Sequence, residues 1–430
     1  MEFRNLTPFH AMAFNAVDVQ KNEFHVVALK VGYALERVHS AKPGSDTHRC
    51  VLLEADSVIP LATTDEYEGE IGKSSVKWES DLAPFKPRCD VLVRARSYAP
   101  NGVPEASWPA RLRVLDSGEI VVDKGLRVTG PRMFRKGWRG WRIDNPETAS
   151  EVPVRWEYAY GGASVVVALP GAASDNGTRE LTEVCFTNPL GVGWIEKRYF
   201  ERAVHDEVVA CAAMSDTPAR QAKLVELRAP QIEGWHSPIN APDVIEHHGA
   251  GLDSRKMAEV ASTYAHVPVG LGAIGRAWTP RLQRAGTYDE SWLKTRWPYL
   301  PEDFDFRYWN AAPDDQQIAW PKPGLAFELA NLAPPEETRA GFLRARLPQH
   351  RALVALRFAG GAIAPLAMNV DTVLIDTDDM RVLVTWRAVF PLQPAVRICE
   401  ARFEVDPRAP LLRMESQPQL TETEDAWQTT

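Results

Sequence analysis

The chain has 430 residues, 45% of them hydrophobic and 25% charged, an ordinary globular balance with length enough to bury a large core without disulfide staples. Its 49 basic and 57 acidic residues leave a net charge of -8, where a nucleic-acid binder normally carries a basic excess. The five cysteines, Cys50, Cys89, Cys185, Cys211 and Cys399, are odd in number and form no C-x-x-C pair, which excludes zinc-ribbon and thioredoxin-like motifs and points to buried, reduced thiols.

The opening MEFRNLTPFHAMAF has no basic stretch followed by a long apolar one, so no secretory signal is expected. His25–Leu35 reads as the first strand. Asp90–Tyr98 follows, with Val91, Val93, Ala95 and Ser97 on a small or apolar face and Arg94 and Arg96 opposite. Ala110–Leu115 and Glu119–Thr129 come next. In Val152–Tyr160, Val154, Trp156, Tyr158 and Tyr160 share one side and Arg155 and Glu157 the other. Such period-two alternation marks a strand with one wet face. Ala163–Ala173 is the most apolar run; it is too short to span a bilayer and contains Pro170. Helix-like windows are few: Lys197–Met214, Arg255–Tyr264, Asp289–Trp297 and Glu336–Arg346. Strands resume at Leu353–Phe358, Arg381–Phe390 and Val396–Val405. From Ser416 the chain is polar and acidic, and disorder is expected there, with Trp427 as a lone aromatic.

Thirty-three prolines and 27 glycines interrupt the chain too often for long helices. The expected fold is therefore mainly β, a large antiparallel β-sandwich-like architecture with a few short helices. Composition suggests a β-rich part over 1–165, a middle part with loops and short helices over 166–335, a β-rich part over 336–415 and a tail over 416–430. These parts read equally well as one continuous domain.

Candidate chemistry is thin. His247 and His248 are adjacent, so in an extended segment they point to opposite sides and do not chelate one ion. Gly270–Gly275 fits G-x-G-x-x-G, but Pro280 follows closely where the dinucleotide motif needs a helix, so close backbone approach explains these glycines better. No G-x-S-x-G occurs. Pro301–Gln316 gathers Asp303, Asp305, Asp314, Asp315 and Trp309, which a carbohydrate-active sandwich could use across a sugar cleft. Aspartates beside proline more often build turns. No motif asks for a catalytic residue, a metal or a cofactor. Tryptophan and arginine lead at interface hot spots. The hairpin residues Arg135, Trp138, Arg139 and Trp141, with Tyr308 and Trp309, are therefore the expected partner-binding set.

An ordered set of strings carries more information. It runs NLTPF (5–9), WESDLAPFKP (78–87), APNGVP (99–104), RWEYAYGG (155–162), NPLGVG (188–193), GAIGRAW (272–278), RAGTYDESWLKTRW (284–297), DTVLID (371–376) and TWRAVFP (385–391). In this order it closely resembles the type VI secretion adaptor/chaperone family long catalogued as a domain of unknown function. The resemblance spans roughly Met1 to Pro407 and departs around Ala203–Leu227. It implies a non-enzymatic cytoplasmic bacterial protein that helps a toxic effector dock on the VgrG or PAAR spike. The expected partners are that effector and the spike proteins, with no nucleic acid and no membrane.

Overall fold

The computed structural model describes residues 1–38, 45–54, 57–137, 139–168, 179–185, 187–194, 226–239 and 267–409. Strands dominate and the helices are short, so the chain is mainly β, with antiparallel sheets packed in sandwich fashion. The largest sheet has seven strands. His10–Val17, Glu23–Arg37, Arg381–Pro391, Asn369–Asp376, Cys89–Arg94 and Gln317–Ile318 lie in that order, and His48–Leu52 also pairs with Glu23–Arg37. One pairing in it is parallel, between Asn369–Asp376 and Cys89–Arg94. Glu23–Arg37 lies antiparallel beside Arg381–Pro391, so the two ends of the sequence meet in the middle of one sheet.

A five-stranded sheet orders Ile232–Gly234, Glu119–Thr129, Ser107–Asp116, Ala326–Ala330 and Phe342–Arg346. A four-stranded sheet orders Glu2–Asn5, Val396–Glu404, Arg351–Phe358 and Ile363–Ala367. Alternation explains how the three sheets share a core. Val27, Leu29, Val31 and Tyr33 point one way from their strand, as do Val382, Val384 and Trp386 from theirs. They meet Leu112 and Val114 of the five-stranded sheet and Val354, Cys399 and Ala401 of the four-stranded one in a single apolar cluster. Burying a side chain of this size is worth about 1.5–3 kcal/mol, and this cluster is the main driving force for the fold.

The opposite face of the seven-stranded sheet departs from the expected wet face. It carries Lys30, Asp90, Thr385 and Arg387, all buried. Residues 57–88 and 270–316 cover it, with Ile59, Val76, Trp78, Ala273, Ala311 and Ala312 packing on Leu92, Leu374 and Leu383. Desolvated charges must be paired. Lys30 meets Asp81 at 2.5 Å, Lys86 meets Asp90 at 2.8 Å, Arg281 meets Glu79 at 2.6 Å and Arg387 meets Asp371 at 2.5 Å. Asp90 also accepts hydrogen bonds from the Asn310 side chain and the backbone N–H groups of Ala311 and Ala312. Lys30–Asp81, Lys86–Asp90 and the Arg387 bond to the Asp81 carbonyl thus fasten the cover to the sheet, while Arg281–Glu79 ties the two cover segments to each other.

Three local expectations are corrected. Asp90–Tyr98 is two strands, Cys89–Arg94 and Arg96–Tyr98, and Arg94 is not solvated but bonded to Glu68 at 2.7 Å and Asp376 at 2.9 Å. Val152–Tyr160 is broken by a 3-10 turn at Trp156–Tyr158. There the Trp156 Nε1–H donates to the Ala273 carbonyl at 2.9 Å, and Arg155 turns to Glu68 and Asp378. Glu336–Arg346 is not a helix. A 3-10 turn at Pro335–Glu337 leads through Ala340 and Gly341, both at positive φ, into the strand Phe342–Arg346. Leu343 and Ala345 are buried there at alternate positions, the period of a strand and not of a helix. The windows Lys197–Met214 and Arg255–Tyr264, the histidine pair 247–248 and the tail from 416 lie outside the described residues.

Candidate partner-binding surface

The residues proposed from the sequence fall in two places. Met133–Gly137 and Gly140–Ile143 form the expected hairpin, edged on its other side by Glu226–Arg228. Arg135 pairs with Asp144 at 2.6 Å and lines an open groove of about 860 Å³ together with Arg96, Arg132, Glu147 and Tyr158. Arg139 is exposed at the tip and Trp141 is half-buried. Trp138 lies outside the described residues.

Tyr308 and Trp309 sit in the 3-10 turn Phe306–Trp309 and are half-buried. The Arg281 guanidinium lies over the Tyr308 ring at 5.6 Å, and Arg276 over Trp309 at 5.4 Å. Both arginines bind Glu79, so these rings close over the buried charge layer. The nearby aspartates are likewise engaged. Asp303 accepts from the Thr287 N–H and hydroxyl, Asp305 caps the 3-10 turn, Asp314 pairs with Arg284 and Asp315 with Lys124. For Asp305, burial would raise the carboxyl pKa, but hydrogen bonds from Arg307 outweigh it and hold the group below the usual range.

A third surface escaped the sequence reading as a partner site. Residues 286–299 project four large apolar side chains into solvent: Tyr288 is 54% exposed, Leu293 60%, Trp297 64% and Tyr299 39%. The segment is firmly braced. Asp289 caps the helix Glu290–Thr295 by accepting from the Trp292 N–H at 2.9 Å. Trp292 stacks edge-on against Tyr288, with centroids 4.7 Å apart, and its Nε1–H donates to the Tyr299 carbonyl at 2.9 Å. Arg296 donates to the carbonyls of Leu300 and Val19, and Lys21 stands over the Tyr299 ring at 5.1 Å. Burial, then the neighbouring Tyr308 and Asp303, push the Tyr288 phenol above its usual pKa. An exposed cluster of aromatic residues is a common sign of a binding surface, and a braced one loses little entropy on binding.

Among the described residues no group of three or more His, Cys, Asp or Glu side chains is arranged to hold a metal. Cys50, Cys89, Cys185 and Cys399 are buried and free, and burial pushes the Cys50 and Cys399 thiols to about 12, away from the reactive thiolate. Cys211 lies outside the described residues. Among the described residues no helix is long and apolar enough to cross a membrane.

A family model described as "Uncharacterized protein conserved in bacteria (DUF2169)" matches residues 20–387. No curated protein and no solved structure matches the chain.

Proposed function

The chain belongs to this bacterial family, and from that footing we propose that it is a non-catalytic cytoplasmic adaptor that binds a type VI secretion effector and helps load it onto the VgrG/PAAR spike. The effector class comes from the ordered strings, most of which fall inside the matched region. The observation that carries the binding role is the braced aromatic platform of residues 286–299, which holds Leu293 and Trp297 in water on a scaffold whose other large side chains are mostly covered. Leaving such groups exposed forgoes about 1.5–3 kcal/mol each, a cost that a partner can recover.

Co-expression of the chain with the effector encoded nearest its gene tests the proposal. The effector should be captured by the tagged chain and gain solubility, and Trp297→Ala should reduce capture. An effector that is soluble and spike-loaded without this chain would overturn the reading.

A further inference from the structure

If the aromatic platform is the partner site, as the adaptor reading has it, the charges around it define the chemistry of that partner. Tyr288, Leu293, Trp297 and Tyr299 stand among four exposed carboxylates, those of Asp289, Glu290, Glu302 and Asp303. The cations beside them are engaged or covered. Lys294 pairs with Glu290 at 3.0 Å, and Lys21 stands over the Tyr299 ring. Arg296 reaches inward to the carbonyls of Leu300 and Val19, so its side chain is 14% exposed, while that of Glu302, 3.7 Å away, is 82% exposed. The same order recurs further along the cover segment. Asp314 is 62% exposed over an Arg284 side chain at 12%, and Asp315 is 59% exposed over Lys124 at 9%. In each of these three pairs the carboxylate faces water and the cation lies beneath. Residues 284–316 hold seven acidic and four basic residues, so the outward rim is acidic in number as well as in position.

The rings favour the same sign of charge. The face of an aromatic ring attracts a lysine or arginine head, and tryptophan does so best. Three rings of this region already hold such a cation from the chain itself: Lys21 over Tyr299, Arg281 over Tyr308 and Arg276 over Trp309. Trp297 presents its ring to solvent. An apolar centre with an acidic rim complements an apolar segment that carries positive charge, and it repels the phosphates of nucleic acid and of anionic lipid. We propose that the platform takes a segment of its protein partner that combines arginine or lysine with apolar residues, the apolar ones covering Leu293 and Trp297 and the cations meeting Glu302 and the neighbouring carboxylates.

Fluorescence anisotropy of the full chain with two labelled dodecapeptides, one alternating arginine and leucine and one alternating glutamate and leucine, tests this. The arginine peptide should bind about tenfold more tightly or better, and raising salt from about 50 mM to about 500 mM should weaken it. Trp297→Ala should weaken it too. Glu290→Lys with Glu302→Lys should weaken it about tenfold. Glu36→Lys with Glu70→Lys alters the net charge equally at exposed positions outside residues 284–316 and should change binding less than about twofold. If the rim variant does not fold, the peptide comparison and Trp297→Ala decide the matter. No preference for the arginine peptide, no binding of either, a rim variant no weaker than its control, or equal binding by Trp297→Ala would overturn the assignment. So would phosphatidylglycerol vesicles that bind the wild type and not Trp297→Ala. The two readings fail separately. An effector captured equally by the wild type and the rim variant refutes the basic partner and keeps the adaptor role; an effector that is never captured refutes that role and leaves the peptide preference standing.

Discussion

Replacing Asp90 by asparagine tests whether the buried charge layer holds the cover on the sheet. Asp90 is fully buried and serves Lys86, Asn310 and the N–H groups of Ala311 and Ala312. The amide oxygen of the introduced side chain can keep part of this set, but Lys86 then keeps only a long ion pair, to Glu79 at 3.9 Å, beside its neutral hydrogen bond to the Thr372 hydroxyl at 3.0 Å. Lys86 is itself 5% exposed, so its charge is left in a desolvated site. Removing one member of such a pair costs about 3–5 kcal/mol. At about 2.1 cal/mol/K per residue, 430 residues unfold with an entropy of roughly 0.9 kcal/mol/K, which converts the loss to a melting-temperature drop of about 3–6 °C. The double variant Lys86→Met with Asp90→Asn removes both charges and should recover about 0.5–3 kcal/mol relative to the sum of the single changes. Calorimetric melting and urea titration of the four proteins give the cycle. A single Asp90→Asn variant melting within about 1 °C of the wild type, or strict additivity in the cycle, would refute the reasoning.

Acid should destabilise the protein below about pH 6.5. Burial holds His25, His48 and His350 below the usual histidine range, against a smaller upward pull on His48 from Glu337. The unfolded chain then binds more protons than the folded one, so stability present above the unfolded pKa is lost as pH falls through the folded values. The slope reaches at most about 1.4 kcal/mol per pH unit for each histidine; urea midpoints at several pH values measure it, and His350→Gln should flatten it. Trp297→Ala and Leu293→Ser should each change stability by less than about 0.5 kcal/mol yet weaken effector capture about tenfold or more, read by melting and pull-down in parallel; a variant that melts early and binds normally would place these residues in the scaffold instead. Arg281, which donates to the carbonyls of Ile274 and Tyr308 and pairs with Glu79, should act as a strap. Arg281→Met should therefore speed amide exchange at Arg296 and Tyr299 about a hundredfold or more, while amides of the strand Arg381–Pro391 change less.

What could be read in the sequence was local and periodic. The strand-like runs His25–Leu35 and Arg381–Phe390 coincide with the two strands that pair at the centre of the largest sheet. The glycines at 270–275 were read as sites of close approach, and a Cβ on Gly270 would stand 2.9 Å from the Trp156 ring. The charge layer was not legible. Arg94 and Lys30 alternate with apolar residues just as solvated side chains do, and only the cover, whose Asp81 is 51 residues from Lys30 in sequence, turns that face inward. The platform was missed for a related reason. Residue type says nothing about whether a tryptophan is covered: Trp108 and Trp194 are buried while Trp297 is 64% exposed.

The cover segment 270–316 therefore has two faces with opposite demands. Inward it brings Arg281, Asn310 and Gln316, fully or nearly fully buried, to fixed hydrogen-bond partners. Outward it carries Tyr288, Leu293 and Trp297 into water. An apolar covering layer could slide on an apolar sheet at small cost, because dispersion contacts have no fixed partner geometry. Ion pairs and hydrogen bonds do have one, and misplacing them leaves desolvated charges. The costly layer beneath thus sets the position of the surface above, and it explains how aromatic side chains on and beside a helix of only six residues can be held ready for a partner.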